Sequence, residues 1–206
     1  MLGTEAMTSV TEVFTAQADL FRPSNVPEGF AYCPEIISIG EEIALAQEIA
    51  ALPFEAFRFQ GFVAKRRVIS YGWRYDFDRA RFEQTDPIPD FLLPLKVRAA
   101  AFAGLRPDDI AHALVTEYAP GTPIGWHRDR PVFEDVIGIS LLSACTFRFR
   151  RKAGAKWDRH AITAEPRSIY LMRGPSRWEW EHSIPEVEET RYSVTFRTLR
   201  KTDGRA

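Results

Sequence analysis

Residues 191–197 read Arg-Tyr-Ser-Val-Thr-Phe-Arg. In a strand, alternate side chains point to opposite faces, so Arg191, Ser193, Thr195 and Arg197 share one face and Tyr192, Val194 and Phe196 the other. Such a strand fits an exposed sheet edge with its arginines in water. It also fits the inside of a barrel, but a buried stripe of this polarity then needs a partner for two cations. A dicarboxylate would supply one, because each guanidinium can grip a carboxylate through two parallel N–H donors.

Toward the N-terminus, five more segments carry the same short, Val-, Ile-, Phe-, Tyr- or Thr-rich signature: Ser168–Met172, Cys145–Arg150, Val136–Leu142, Ala113–Tyr118 and Phe62–Ser70. Gly174-Pro175, Gly154 and Pro120-Gly121 punctuate them as turns. Cys145–Arg150 alternates cleanly, with Cys145, Phe147 and Phe149 on one side and Thr146, Arg148 and Arg150 on the other. Two helices are expected. Glu41–Leu52 sets Ile43, Leu45, Ala46, Ile49 and Ala50 at helical spacing behind an acidic first turn. Asp90–Gly104 follows Pro87 and Pro89, tolerates Pro94 near its start and is stopped by glycine. Helices followed by closely spaced strands predict a mainly β (α+β) fold, a sandwich or barrel with N-terminal helices packed outside.

The chain of 206 residues is the size of one domain, placed at 28–200 between a flexible N-terminal tail at 1–27 and a C-terminal tail at 201–206. No run approaches the roughly 18 apolar residues of a spanning helix, and the first thirty residues hold one basic residue, Arg22, and no apolar block. Neither a membrane nor a secretory signal is therefore expected. Cys33 and Cys145 are too few for a disulfide framework and are read as thiols of a cytoplasmic protein. The net charge of −1 conceals an asymmetry: residues 1–50 hold eight acidic side chains and one basic, while residues 51–206 carry 26 basic and 20 acidic. The larger part can thus attract an anionic partner.

Only four histidines are present: His112, His127, His160 and His182. In Gly125-Trp126-His127-Arg128-Asp129, an extended chain would point His127 and Asp129 the same way. A His-x-Asp triplet alone is weak. His182, in Trp178-Glu179-Trp180-Glu181-His182, adds a second imidazole. Two imidazoles and one carboxylate on one face of a metal leave three positions open, the facial triad of non-haem Fe(II) oxygenases; the same ligands also suit zinc. His112 and His160 lack such neighbourhoods and are read as ordinary polar residues.

Three stretches together, Val115–Asp129 (VTEYAPGTPIGWHRD), Gly174–His182 (GPSRWEWEH) and Arg191–Arg197 (RYSVTFR), resemble the AlkB-like branch of the Fe(II)/2-oxoglutarate-dependent dioxygenases in order and spacing. The resemblance covers about residues 28–200 and implies a double-stranded β-helix (jelly roll). It implies iron held by His127, Asp129 and His182, with 2-oxoglutarate as cosubstrate and O₂ as oxidant. Arg191, helped by Tyr118, matches the arginine that grips the far carboxylate of the cosubstrate, and Arg197 the arginine near its chelating end. Thr116 and Ser193 stand where bacterial members carry asparagines. Pro131 stands where DNA-repair members often carry an acidic residue that contacts the base. Gly72-Trp73 resembles the place where several members stack an aromatic on a methylated base. The implied reaction hydroxylates an N-methyl group, which is then shed as formaldehyde, while 2-oxoglutarate becomes succinate and CO₂.

Outside these stretches, Tyr71-Gly72-Trp73-Arg74-Tyr75 lies between Lys65-Arg66-Arg67 and the pair Arg79 and Arg81. Rings interleaved with cations suit a single strand or flipped base, with Trp73, Arg74 and Tyr75 as its contacts; packed core rings beside a solvated basic face would look the same. Arg148, Arg150, Arg151, Lys152 and Lys156 form a second basic run, expected as a hairpin with a solvated face. Trp178 and Trp180 are expected to pack on the barrel. The leading function is oxidative demethylation of single-stranded nucleic acid, in repair or in reversal of a modification, with no obligate protein partner. The same chemistry on a protein or small molecule, or an inactive binding module, are the alternatives.

Overall fold

The computed structural model describes residues 26–59, 62–76 and 81–200. Apart from Val26 and Pro27, the two expected tails lie outside the described residues. In chain order the elements are β1 (Phe30–Cys33), α1 (Ile39–Ala50), β2 (Glu55–Phe59), β3 (Phe62–Tyr71), β4 (Trp73–Asp76), β5 (Arg81–Gln84), α2 (Leu93–Ala103), β6 (Ile110–Tyr118), β7 (Ile124–His127), β8 (Phe133–Leu141), β9 (Cys145–Ala153), β10 (Lys156–Ala164), β11 (Ile169–Met172), α3 (Pro175–Trp178), β12 (Glu181–Ile184) and β13 (Arg191–Leu199). A major sheet runs β1-β11-β8-β13-β6-β3-β2 and a minor sheet β10-β9-β12-β7, while β4 and β5 form a separate ribbon. Neighbouring strands are antiparallel. This is the expected mainly β, double-stranded β-helix, with helices outside the major sheet.

Strand β13 explains why. It is central, paired to β6 on one side and β8 on the other, so the exposed-edge reading of its arginines fails. Tyr192, Val194 and Phe196 face a core layer shared with Ile49 of α1 and Leu95, Ala99 and Ala100 of α2. Burying a ring such as Phe196 contributes about 1.5–3 kcal/mol. The opposite face, Arg191, Ser193, Thr195 and Arg197, is equally buried but points between the sheets. There a second apolar layer of Phe30, Val136, Phe147, Phe149, Met172 and Trp180 surrounds it.

The helices form where local chemistry starts and stops them. Ser38 caps α1: its hydroxyl accepts from the Glu41 N–H at 3.3 Å, and the Glu41 carboxylate accepts from the Ser38 N–H at 2.8 Å. That cap moves the helix start to Ile39, ahead of the expected Glu41. Glu41 also pairs with Arg98 of α2, tying the two helices. A 3₁₀ turn, Asp90–Leu92, leads into α2, and Gly104 ends it at φ 65°. All six expected strands are present, most of them extended at their ends.

One glycine is required by close approach. Gly138 of β8 lies opposite Tyr170 of β11, and the tyrosine ring crosses it so closely that a Cβ would sit 2.1 Å from Tyr170 Cζ. Gly138→Ala must therefore displace this ring inside the barrel. A destabilisation of about 1–3 kcal/mol is expected from overpacking, lowering Tm by roughly 2–4 °C per kcal/mol for a domain of this size. An unchanged melting curve would show that Tyr170 can swing aside without loss.

Candidate metal and cosubstrate site

Strands β7 and β12 are neighbours in the minor sheet, and their register sets His182 directly opposite His127. The two rings, 55 residues apart in sequence, lie with centroids 4.2 Å apart. His127 places Nδ1 2.8 Å from the Gly125 carbonyl. With Nδ1 donating there, Nε2 is the nitrogen with a free lone pair. The His182 ring stacks on Phe147 at 5.4 Å and 11°, which fixes its plane. Burial, and next the nearby His127, push the His182 pKa down to about 3, so this imidazole is neutral, the form that binds metal.

Asp129 follows β7 and turns inward, its side chain 11% exposed. Arg197 Nη2 donates to its Oδ1 at 2.9 Å. Burial alone would raise the carboxyl pKa, but the charge of Arg197, then those of His182, His127 and Arg177, outweigh it and hold the group well below the usual carboxylate range. Two further residues brace the arrangement. His112 Nδ1 lies 3.3 Å from Arg197 Nη1, and its ring stacks on Phe133 at 4.8 Å. Arg177, a buried residue of α3, donates from Nη2 to the carbonyls of Arg130 and Phe133 at 2.7 and 2.9 Å, pinning the loop that follows Asp129.

Among the described residues no three His, Cys, Asp or Glu side chains converge on one point as they stand. The carboxylate is turned to Arg197, while the imidazoles lie against each other. The chemistry of the donor set nevertheless fits a divalent transition metal: a neutral imidazole, a second with a free nitrogen and an ionised carboxylate share one wall, which leaves coordination positions open.

Deeper in the barrel, Arg191 is fully buried. Its register partner on β6 is Tyr118, whose ring lies 4.9 Å from the guanidinium carbon. Nε donates to Ser140 Oγ at 3.0 Å, but Nη1 and Nη2 are buried without a hydrogen-bond partner. Ser193 stands in register between Thr116 and Ser140, all three buried, and these hydroxyls line the floor beside the guanidinium. Burial pushes the Tyr170 phenol above its ordinary range, so its hydroxyl stays a neutral donor in this wall. Two unpaired amino groups on a buried cation mark the place of an anion.

On the proposed substrate side, Gly72 at φ 78° brings the chain so close to Ala111 that a Cβ would lie 2.2 Å from its carbonyl. Gly72 thus sets the start of β4 against the Ala111–His112 backbone of β6. Trp73 itself is half-buried. The side chains of Arg74 and Tyr75 and the whole of Arg79 lie outside the described residues. Lys65, Arg66 and Arg67 do not form one basic face. Arg67 is taken up by a two-point bond to Glu117 at 2.7 and 2.8 Å, Lys65 donates to the Gly121 carbonyl at 3.2 Å, and Arg66 lies 3.9 Å over Phe57. Strand pleat explains the split, since neighbours point to opposite faces.

Sequence reasoning missed His112, Arg177, Ser140 and Tyr170. His112 is no ordinary polar residue: burial, and next the charge of Arg197, push its pKa well below the usual range and make it an uncharged prop for that arginine. Ser140 had a signal, since it continues the Val136–Leu142 alternation onto the polar face. Arg177 had none. Trp180 is buried as expected, whereas Trp178 is only half-buried and donates to Glu134 at 3.1 Å.

Comparison with known proteins agrees with this geometry. A family model described as the 2OG-Fe(II) oxygenase superfamily matches residues 47–200. The chain is 28% identical over 206 residues to the Alkylated DNA repair protein ALKBH8 homolog of Arabidopsis thaliana, covering 86% of this chain and 57% of that protein. It is 27% identical over 192 residues to the tRNA (carboxymethyluridine(34)-5-O)-methyltransferase ALKBH8 of Macaca fascicularis, covering 89% and 28%. It is 23% identical over 176 residues to the Probable RNA/DNA demethylase ALKBH6 of Danio rerio, covering 85% and 63%. The chain thus spans less than two thirds of each of these relatives. Among solved structures, OsALKBH1 matches with a TM-score of 0.64 at 14% identity over 85% of this chain and 99% of that one. An oxidoreductase of the 2OG-Fe(II) oxygenase family from Burkholderia pseudomallei matches with a TM-score of 0.60 at 16% identity over 97% and 95%. The chain belongs to the 2OG-Fe(II) oxygenase superfamily and, within it, to the AlkB-like dioxygenases, oxidoreductases that use Fe(II), 2-oxoglutarate and O₂.

Proposed function

We propose that the protein oxidatively removes an alkyl group from a base of single-stranded nucleic acid, releasing formaldehyde from an N-methyl group. The observation that carries the oxygenase assignment to residues is the unpaired Arg191 guanidinium, buried six positions before the arginine that holds Asp129. His127, Asp129 and His182 would hold the Fe(II). Arg191 would take the far carboxylate of 2-oxoglutarate through Nη1 and Nη2, with Tyr118, Thr116 and Ser193 lining that end. Arg197 would share its charge between Asp129 and the near carboxylate. When bound, iron with 2-oxoglutarate and O₂ supplies an oxidant for a substrate C–H bond, and the cosubstrate leaves as succinate and CO₂. The chain's own part is to hold Asp129 ionised, present His182 as a neutral imidazole beside His127, keep water from the apolar interior and orient the base against Trp73.

The choice of nucleic acid is supported by the names of the relatives, which refer to alkylated-DNA repair, tRNA methylation and RNA/DNA demethylation, and by the half-buried Trp73 that opens β4. Pro131, and the neutralisation of Arg67 by Glu117, favour as second reading the same oxidation of a protein or small molecule. The two free thiols suit the cytoplasmic setting we propose.

Asp129 has two separable duties. Asp129→Ala should abolish iron-dependent succinate formation, and by leaving Arg197 without its carboxylate it should cost about 3–5 kcal/mol of stability. Asp129→Asn keeps an acceptor for Arg197, so it should lose turnover while melting closer to the parent. Fe(II) binding and melting curves read both; an active Asn variant would remove Asp129 from the metal site.

Arg191→Met should separate stability from function. Methionine keeps the apolar packing on Tyr118 and removes a buried cation, so the variant should still fold, with a melting curve close to the parent. Affinity for 2-oxoglutarate should fall about a hundredfold or more, since the lost ion pair is worth at least about 3 kcal/mol. Unchanged affinity, measured by titration of the cosubstrate, would mean that the anion binds elsewhere.

Trp73→Ala should weaken binding of a methylated oligonucleotide about five- to a hundredfold through lost stacking, while substrate-free decomposition of 2-oxoglutarate continues. Formaldehyde release from methylated oligonucleotides, assayed beside methylated peptides, decides between the two readings. Release from peptides alone overturns the nucleic-acid one.

A further inference from the structure

The minor sheet has a second face. In β9, Phe147 and Phe149 point into the barrel, so Arg148, Arg150 and Lys152 point out. Register sets Trp157 opposite Lys152 and Arg159 opposite Arg150 on β10, and Glu181 opposite Arg150 on β12. Trp126, next to inward-facing His127, completes the outer face from β7. The Arg150 guanidinium lies 4.5 Å from the Trp126 ring and 4.6 Å from the Trp157 ring, while that of Arg148 lies 5.1 Å from the Trp126 ring. Glu181 fixes Arg150 Nε at 2.6 Å, and Ser183 fixes Arg148 Nε at 3.1 Å.

Stacking with Arg150 accounts for where Trp157 sits, but not for its surroundings. Trp157 remains 39% exposed. Lys152 and Arg159 beside it are exposed, and neither pairs with another described residue. Glu181 is the acidic side chain of this face and is already taken by Arg150; Asp158 and Glu179 are engaged on the flank by Arg151. The result is an array of rings and guanidiniums bordered by cations without acidic partners among the described residues.

We infer that this outer face, formed by Trp126, Arg148, Arg150, Lys152, Trp157 and Arg159, is a docking surface for single-stranded nucleic acid, separate from the cavity. The rings offer π-faces on which unpaired bases stack whatever their sequence, and the free cations meet phosphates. A duplex keeps its bases stacked internally and could not use the indoles. An acidic peptide would use the cations alone. Because strands β7, β9 and β12 carry the candidate iron site on one side and this array on the other, a strand could be held on the outside without filling the cavity. The inference shares with the proposed function only the class of polymer.

The test is fluorescence anisotropy with an unmethylated, labelled single-stranded 12-mer, as RNA and as DNA, over a salt series, with an acidic peptide in parallel. Trp157→Ala should weaken oligonucleotide binding about five- to a hundredfold and leave the peptide unaffected. Lys152→Ala combined with Arg159→Ala should reduce the slope of log affinity against log salt by about 1.4, two phosphate contacts at about 0.7 each. Both variants should keep the parent melting curve and substrate-free turnover of 2-oxoglutarate. Oligonucleotide affinity unchanged in both variants overturns the inference, as does peptide binding that equals oligonucleotide binding and ignores Trp157. The probe has no methyl group and the readout is binding, so failure of demethylation leaves this result standing, and failure here leaves the cavity reading intact.

Discussion

A single ion pair, Arg197 to Asp129 at 2.9 Å inside the barrel, organises the rest of the interior. Without a counter-charge a carboxylate at this depth would take up a proton, because burial raises its pKa. With Arg197 beside it the group stays ionised next to two imidazoles. Arg197 in turn needs a fixed position, and it has one: β13 is hydrogen-bonded on both sides, and His112 meets the other amino group. Arg177 restrains the loop from which Asp129 projects. A charge network of this kind works only inside a scaffold that keeps its geometry, which the two apolar layers provide.

The packing and the polar floor are coupled through small residues. Gly138 and Ser140 are the inward positions of β8, between outward Ile137, Ile139 and Leu141 that pack on the helix side. Their small size leaves room for the Tyr170 ring and for Arg191. A larger residue at either position would exchange binding space for apolar contact.

Alternation was the readable signal. The Arg191–Arg197 stripe and the clean Cys145–Arg150 pattern separate their faces where expected; both expected helices form, but in α1 the face is turned, with Glu42 and Ile49 buried while Ile43 and Ala50 are exposed. The four-residue strands β1, β7 and β12 are too short to show a period, yet β7 and β12 bring His127 and His182 together. Lys156–Ala164 hides for another reason: Lys156, Asp158 and Arg159 put charges on both faces of its first half, so it reads as loop until Gly154 turns it back along β9. The functions of His112 and Arg177 depend on partners 85 and 44 to 47 residues away, which no local pattern encodes. The Lys65–Arg67 run misleads because sequence adjacency in a strand means opposite faces.

The balance of charge in the cavity also constrains how ligands arrive. Arg191 and Arg197 face one carboxylate, Asp129, with uncharged His112 and His182 around them. The side chains of the interior therefore carry an excess of positive charge in a medium where such charge is poorly screened. On the proposed assignment, a divalent ion at His127, Asp129 and His182 increases that excess and draws on the same carboxylate that neutralises Arg197. A dianion held by Arg191 and Arg197 would offset both effects, since among the described residues Nη1 and Nη2 of Arg191 lack an acceptor and Arg197 depends on Asp129 alone for a counter-charge. Each ligand thus improves the site for the other, and by linkage the coupling must be mutual. The polar network of the interior would then be complete only with both ligands, because the side chains of the chain itself leave Nη1 and Nη2 of Arg191 without an acceptor.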